Sequence, residues 1–137
     1  QGTFGEACRQ LYHITQEREY MRKAELVINY TMTSDRCLQN WILRDEGTNM
    51  DGSIFKAVFV PYAVNLALDD DTSDFVKKRI KTFLLDNAEA LWKNMDRRKY
   101  YYWGSMFPSN EIASMGAQAS GSSLMEGVAR MMVTPEK

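Results

Sequence analysis

The chain has 137 residues, one domain's worth of polypeptide and enough to bury a core. Its 45% hydrophobic and 26% charged content is that of an ordinary globular protein, and a net charge of -1 gives no basic field for nucleic acid or an anionic membrane. One histidine and two cysteines without CxxC spacing cannot assemble a zinc set or a redox centre, so neither metal nor cofactor is expected.

Thr3-Phe4-Gly5-Glu6 has the form of a capping box, and Phe4, Ala7, Cys8, Leu11, Tyr12 and Ile14 follow it at helical spacing. The chain turns near Thr15 to Arg18. A second amphipathic helix then carries Tyr20, Ala24, Val27, Ile28 and Thr31 on one stripe, with Arg22, Lys23 and Glu25 toward water. So short a turn makes the two helices antiparallel neighbours. Asn29-Tyr30-Thr31 matches a glycosylation sequon but lies mid-helix and reads as a chance match. Cys8 and Cys37 read as free thiols packed as small hydrophobes, with a disulfide as the alternative.

Residues 34–50 mix Ser, Asp, Gly and Asn with Leu38, Trp41, Ile42 and Leu43, which predicts an ordered loop with a short extended stretch. Asp51 to Leu68 follows, with a polar, turn-forming start and then a run that is apolar on nearly every face. The run is interrupted by Lys56, Pro61 and Asn65 and is too short to span a bilayer. Such a helix has to be enclosed by other helices, which leaves its polar N-terminal end free to meet a ligand. Asp69-Asp70-Asp71-Thr72-Ser73 supplies a turn and caps for a long amphipathic helix over about 73–95. Its apolar members are Phe75, Val76, Ile80, Phe83, Leu84, Leu91 and Trp92. Asp96 to Ser120 reads as irregular, and Ser123-Leu124-Met125-Glu126 reads as the capping box of a last helix.

The expected class is all-α. A shorter, more apolar helix is twice followed by a longer amphipathic one, over about 4–33 and 52–95, and a third unit begins at 122 without its partner. Hairpins with an inner and an outer member build solenoids and α/α toroids. Two and a half units do not close a ring.

Three segments carry a family resemblance. Gln1-Gly2 ahead of Leu11-Tyr12-x-x-Thr15 resembles the "NQG" start of an inner helix in glycoside hydrolase family 76, the α-1,6-mannanases. Phe55-Lys56-Ala57-Val58-Phe59 is similar to that family's "FKGIF", and Asn87-Ala88 with Trp92 to its "NA…W". The resemblance covers nearly the whole chain and implies part of an (α/α)6 toroid, with 1–137 as the C-terminal part of one domain. It further implies retaining hydrolysis of α-mannan by two consecutive aspartates. That pair is expected upstream of Gln1, leaving no catalytic residue in this chain. A secreted, periplasmic or cell-surface location is implied as well. Pro61 stands near where the family has Arg, and Ala57 replaces its Gly.

Asp69-Asp70-Asp71 is the tempting catalytic assignment, but it follows the C-terminal end of an inner helix, whereas toroid clefts open at the N-terminal ends. These residues therefore read as turn and cap. The inner-helix starts are better placed, since their free N–H groups and polar side chains suit sugar hydroxyls. The candidate substrate-binding residues are Gln1, Asp51, Phe55, Lys56 and Gln118, with Trp103 of the Tyr100-to-Trp103 cluster as a stacking platform. His13 lies in the body of the first helix and reads as structural. The expected partners are an α-mannan polysaccharide or oligosaccharide and the remainder of the same toroid. The rival functions are another toroid enzyme, an epimerase or uronyl hydrolase, and a non-catalytic helical interaction module.

Overall fold

The computed structural model describes residues 1–44, 46, 50–95 and 115–134. Among these the elements are α1 (Gly2–Thr15), α2 (Arg18–Thr31), β1 (Leu38–Gln39), β2 (Ile42–Leu43), α3 (Met50–Leu68), α4 (Asp74–Asn94) and α5 (Met115–Val133). The all-α expectation stands, with one two-stranded hairpin inside the α2–α3 connection. None of the described helices is long and apolar enough to cross a membrane.

Contacts fix the directions of the helices. Gly2 of α1 lies against Phe59 of α3, and His13, eleven positions on, reaches Asp69 just past the end of α3. Ser120, Ser123 and Gly127 of α5 meet Ser53, Ala57 and Val60 of α3 in the same order. Thus α1, α3 and α5 run parallel with α3 in the centre, while α2 and α4 return antiparallel. This is the inner-and-outer hairpin plan of a toroid wall.

Close approach explains how α3 accepts neighbours on both sides. A Cβ on Gly2 would sit 3.0 Å from the Phe59 Cα, and one on Gly127 2.9 Å from Val64 Cγ2. Side chains there would push the inner helices apart. Pro61 has no N–H to donate to the Ala57 carbonyl four residues back, and the Ser123 hydroxyl of α5 donates to that carbonyl at 3.4 Å. The Ser120 hydroxyl also donates to the Ser53 carbonyl at 2.5 Å. The helix therefore runs unbroken through its proline.

Burial refines the apolar readings. On α1 the buried residues are Gly2, Gly5, Cys8 and Tyr12, whereas Phe4, Leu11 and Ile14 form an exposed stripe. On α4 Phe75 and Trp92 are exposed, contrary to expectation, with Arg79 lying over the Phe75 ring at 5.4 Å. The α3 helix is enclosed only in part, because Ile54, Phe55 and Val58 of its N-terminal half remain exposed.

Three caps are corrected. Gln1 is the N-cap of α1, so Thr3 lies inside the helix, and Glu6 binds Arg9 and Gln10 rather than closing a capping box. α5 starts at Met115, so Ser123 is a mid-helix residue turned onto α3 instead of a cap. At the start of α4 the Ser73 N–H is met by Glu25 Oε1 of α2 at 2.7 Å, and the Ser73 side chain makes no cap bond.

Candidate functional site

A cleft of about 620 Å³ opens at the N-terminal ends of the inner helices α1 and α3. Three segments build it: the first turn of α1 (Gln1, Gly2, Thr3), the α2 end and hairpin connection, and the N-terminal half of α3 (Phe55, Lys56, Val58, Phe59). Helix starts gather here because parallel inner helices all present the same end. The first N–H groups of each have no partner within their own helix.

The lining suits an amphiphilic ligand. Phe55, Val58, Phe59 and Leu43 give apolar surface; Gln1, Thr3, Arg36, Arg44, Glu46 and Lys56 give donors and acceptors. Phe55 is more than half exposed, so its ring is open to the cleft. Lys56 is 4% exposed, so the wall encloses nearly all of it. A buried lysine is uncommon and is held by its surroundings rather than by water.

Of the residues expected from sequence, Gln1, Phe55 and Lys56 come together in this cleft. Asp51 is exposed in the first turn of α3, outside the lining, and Gln118 is half-buried near the start of α5, also outside it. Trp103 lies outside the described residues. Arg36, Cys37, Leu43 and Arg44 were not anticipated. They arrive because Leu38 pairs with Leu43 and Gln39 with Ile42, which brings the two ends of the hairpin together. Asn87 of α4 is fully buried and holds that hairpin: its Oδ1 accepts the Leu43 N–H at 2.9 Å and its Nδ2 donates to the Phe83 carbonyl at 2.8 Å.

The opposite end carries the most developed ionic network among the described residues. Asp69 Oδ2 accepts from Arg9 at 2.7 Å and lies 2.6 Å from His13 Nε2, while Oδ1 accepts the Asp71 N–H at 3.1 Å. Burial pushes the Asp69 carboxyl upward, but the bonds with His13, Arg9 and the Asp71 N–H outweigh it, so the group titrates below the ordinary carboxylate range. Arg9 also grips Glu6 with two guanidinium nitrogens. Asp69 is thus more than a turn residue: it ties α1 to the far end of α3. It follows the C-terminal end of α3, at the opposite end of the helix from the cleft, and is not among the lining residues.

Cys8 and Cys37 are both free, and burial raises both thiols. Among the described residues no cluster of His, Cys, Asp and Glu has the make-up of a metal site.

The model of glycosyl hydrolase family 76 matches residues 1–135. Among solved structures, the α-1,6-mannanase GH76A from Salegentibacter sp. HEL1_6 superposes with a TM-score of 0.86 at 29% identity, covering 95% of this chain and 38% of that one. An inactive variant of the same enzyme, altered at two aspartates and bound to α-1,6-mannotriose, superposes at 0.88 with 27% identity over 95% of this chain and 38% of that one. The Lin0763 protein from Listeria innocua shares the fold at 0.81, with 24% identity over 99% of this chain and 38% of that one. This chain therefore spans 38% of the length of the structures it matches. No curated protein sequence matches it.

Proposed function

The chain belongs to glycosyl hydrolase family 76, and from that premise we propose that it supplies one wall of the substrate cleft of a retaining glycoside hydrolase acting on α-1,6-mannan. The observation that carries the reading is the cleft at the inner-helix N-termini, where Phe55 and Val58 sit among the polar groups of Gln1, Arg36, Arg44 and Lys56. Pyranose rings have apolar C–H faces edged by hydroxyls, and a wall of this make-up complements both. The mannotriose bound by the Salegentibacter enzyme supports the substrate class.

In this reading the wall does no proton transfer. The acid/base and nucleophilic carboxylates belong to the rest of the ring, and this chain binds and orients the polymer. The exposed stripe of Phe4, Leu11 and Ile14 on α1 supports a ring with further staves beside this wall, as does Met132 with Val133 on α5. A secreted, periplasmic or cell-surface location is part of this proposal, and a polymeric substrate is in keeping with it. His13, which an epimerase would need near its substrate, sits against Asp69 at the far end, so the mannanase reading is preferred to that rival.

Hydrolysis assays on α-1,6-mannan decide the matter. The intact protein is expected to release mannooligosaccharides with retained anomeric configuration, and this chain alone to release none. Turnover by the chain alone, or inversion by the intact protein, contradicts the proposal.

A further inference from the structure

The turn that closes the β1–β2 hairpin is built against local preference. The register leaves Asn40 and Trp41 as a two-residue turn with φ of 52° and 66°. Two successive positive φ values define a turn that favours Asn followed by Gly. Asn40 meets that preference. Trp41 does not, since a bulky side chain in the left-handed region is strained. Packing offers no compensation, because Trp41 is 78% exposed. The hairpin thus holds a large aromatic ring in water at the cost of backbone strain, and strain of this kind gathers at ligand-binding positions.

The surroundings indicate a ligand class. The hairpin lies in the α2–α3 connection, at the same end of the helices as the cleft, and its Cys37, Leu43 and Arg44 line that cleft. Trp41 stands just before β2, two positions from Leu43 and therefore at most about 7 Å from it along the backbone. Asn87 pins Leu43 from behind, so the tip stands on a fixed base. The neighbours Gln39 and Asn40 are exposed and carry amide groups. A protein-binding hot spot sits in a desolvated apolar surround, whereas a flat ring flanked by amides suits a sugar, whose C–H face stacks while its hydroxyls reach donors and acceptors.

We propose that Trp41 is a carbohydrate-stacking platform at the rim of the cleft, taking a hexopyranose unit of a glycan chain that extends beyond the cleft itself. That the cleft holds a glycan, and that this glycan is α-1,6-mannan, rests on the function proposed above.

The test uses the intact protein with Trp41→Gly and Trp41→Tyr. Glycine removes the ring and relaxes the backbone, so Tm should hold or rise, and any loss of binding is then not a folding defect. Against α-1,6-mannan or a long oligosaccharide, Trp41→Gly is expected to raise KM or Kd roughly tenfold, with kcat and mannotriose affinity unchanged. Trp41→Tyr is expected to retain most of the long-chain affinity. Unchanged long-chain affinity in Trp41→Gly, or an equal loss on mannotriose, overturns the inference. If the intact protein binds a different glycan, the mannan reading fails, and Trp41 stands or falls on the same length dependence with that glycan. An intact protein that retains no glycan overturns both.

Discussion

Asn87 and Leu43 stand 44 positions apart in the chain, yet the buried amide of one accepts the backbone N–H of the other at 2.9 Å. The bond joins an outer helix to the hairpin that walls the cleft. It gives a physical role to the first residue of the "NA…W" pattern, which is fully buried and not among the residues that line the cleft.

Replacing Asn87 by Ala should leave the Leu43 N–H buried without its partner and open a small void beside it. The expected cost is about 2–4 kcal/mol. Chemical denaturation reads the loss, and hydrogen exchange locates it: the Leu43 amide should lose protection before the amides of the α4 core do.

The Asp69 network should make the protein acid-sensitive in a defined direction. The folded-state pKa of Asp69 lies below its unfolded value. Its stabilisation is therefore fully present above the ordinary aspartate pKa of about 3.9 and is lost as pH falls through the lower folded value. Asp69→Asn should cost about 2–3 kcal/mol at neutral pH and flatten the acid limb of a stability-versus-pH curve. An unaltered acid limb in the variant would place the sensitivity elsewhere, with Glu6 the next candidate because its pKa is lowered too.

Gly127→Ala tests the close approach of α5 to α3. The added methyl would lie 2.9 Å from Val64 Cγ2 and 3.0 Å from Val60 Cγ1, so the helices must separate or the valines shift. A destabilisation of about 1–3 kcal/mol is expected, although alanine is the better helix former. A Tm equal to or above that of the wild type would show that the interface gives way freely.

Lys56→Met keeps the stem and removes the ammonium group from the cleft wall. On the function proposed above, mannotriose affinity in the intact protein should fall roughly tenfold, the equivalent of one charged hydrogen bond. Calorimetric titration measures the affinity, and circular dichroism checks that the helices persist. Full affinity with an intact fold would assign Lys56 to structure alone.

Much of the architecture follows from local pattern. Apolar spacing marked α1 and α2, the apolar run from Phe55 marked α3, and the aspartates after Leu68 marked the turn into α4, because periodicity and turn chemistry are properties of neighbouring residues. The start of α5 is hidden for the same reason. Ser123 with Glu126 looks like a capping box in isolation, and only the α3 carbonyls beside Ser120 and Ser123 explain why serines lie inside a helix.

The cleft was legible in part. Gln1, Phe55 and Lys56 could be named because they stand at the starts of apolar helices, and the starts of parallel inner helices share one end. Arg36, Arg44 and Cys37 could not be named, since their placement depends on a hairpin register held by a residue from another helix. Nor could sequence separate Asp69 from its two neighbours: all three look like turn residues, and only the arrival of Arg9 and His13 from α1 makes one of them a buried ionic anchor. By itself the sequence determined which segments are helical and which family they resemble, because both reside in short-range order. Tertiary structure alone decided which polar groups meet, because hydrogen bonds and ion pairs require contact between residues that the chain keeps far apart.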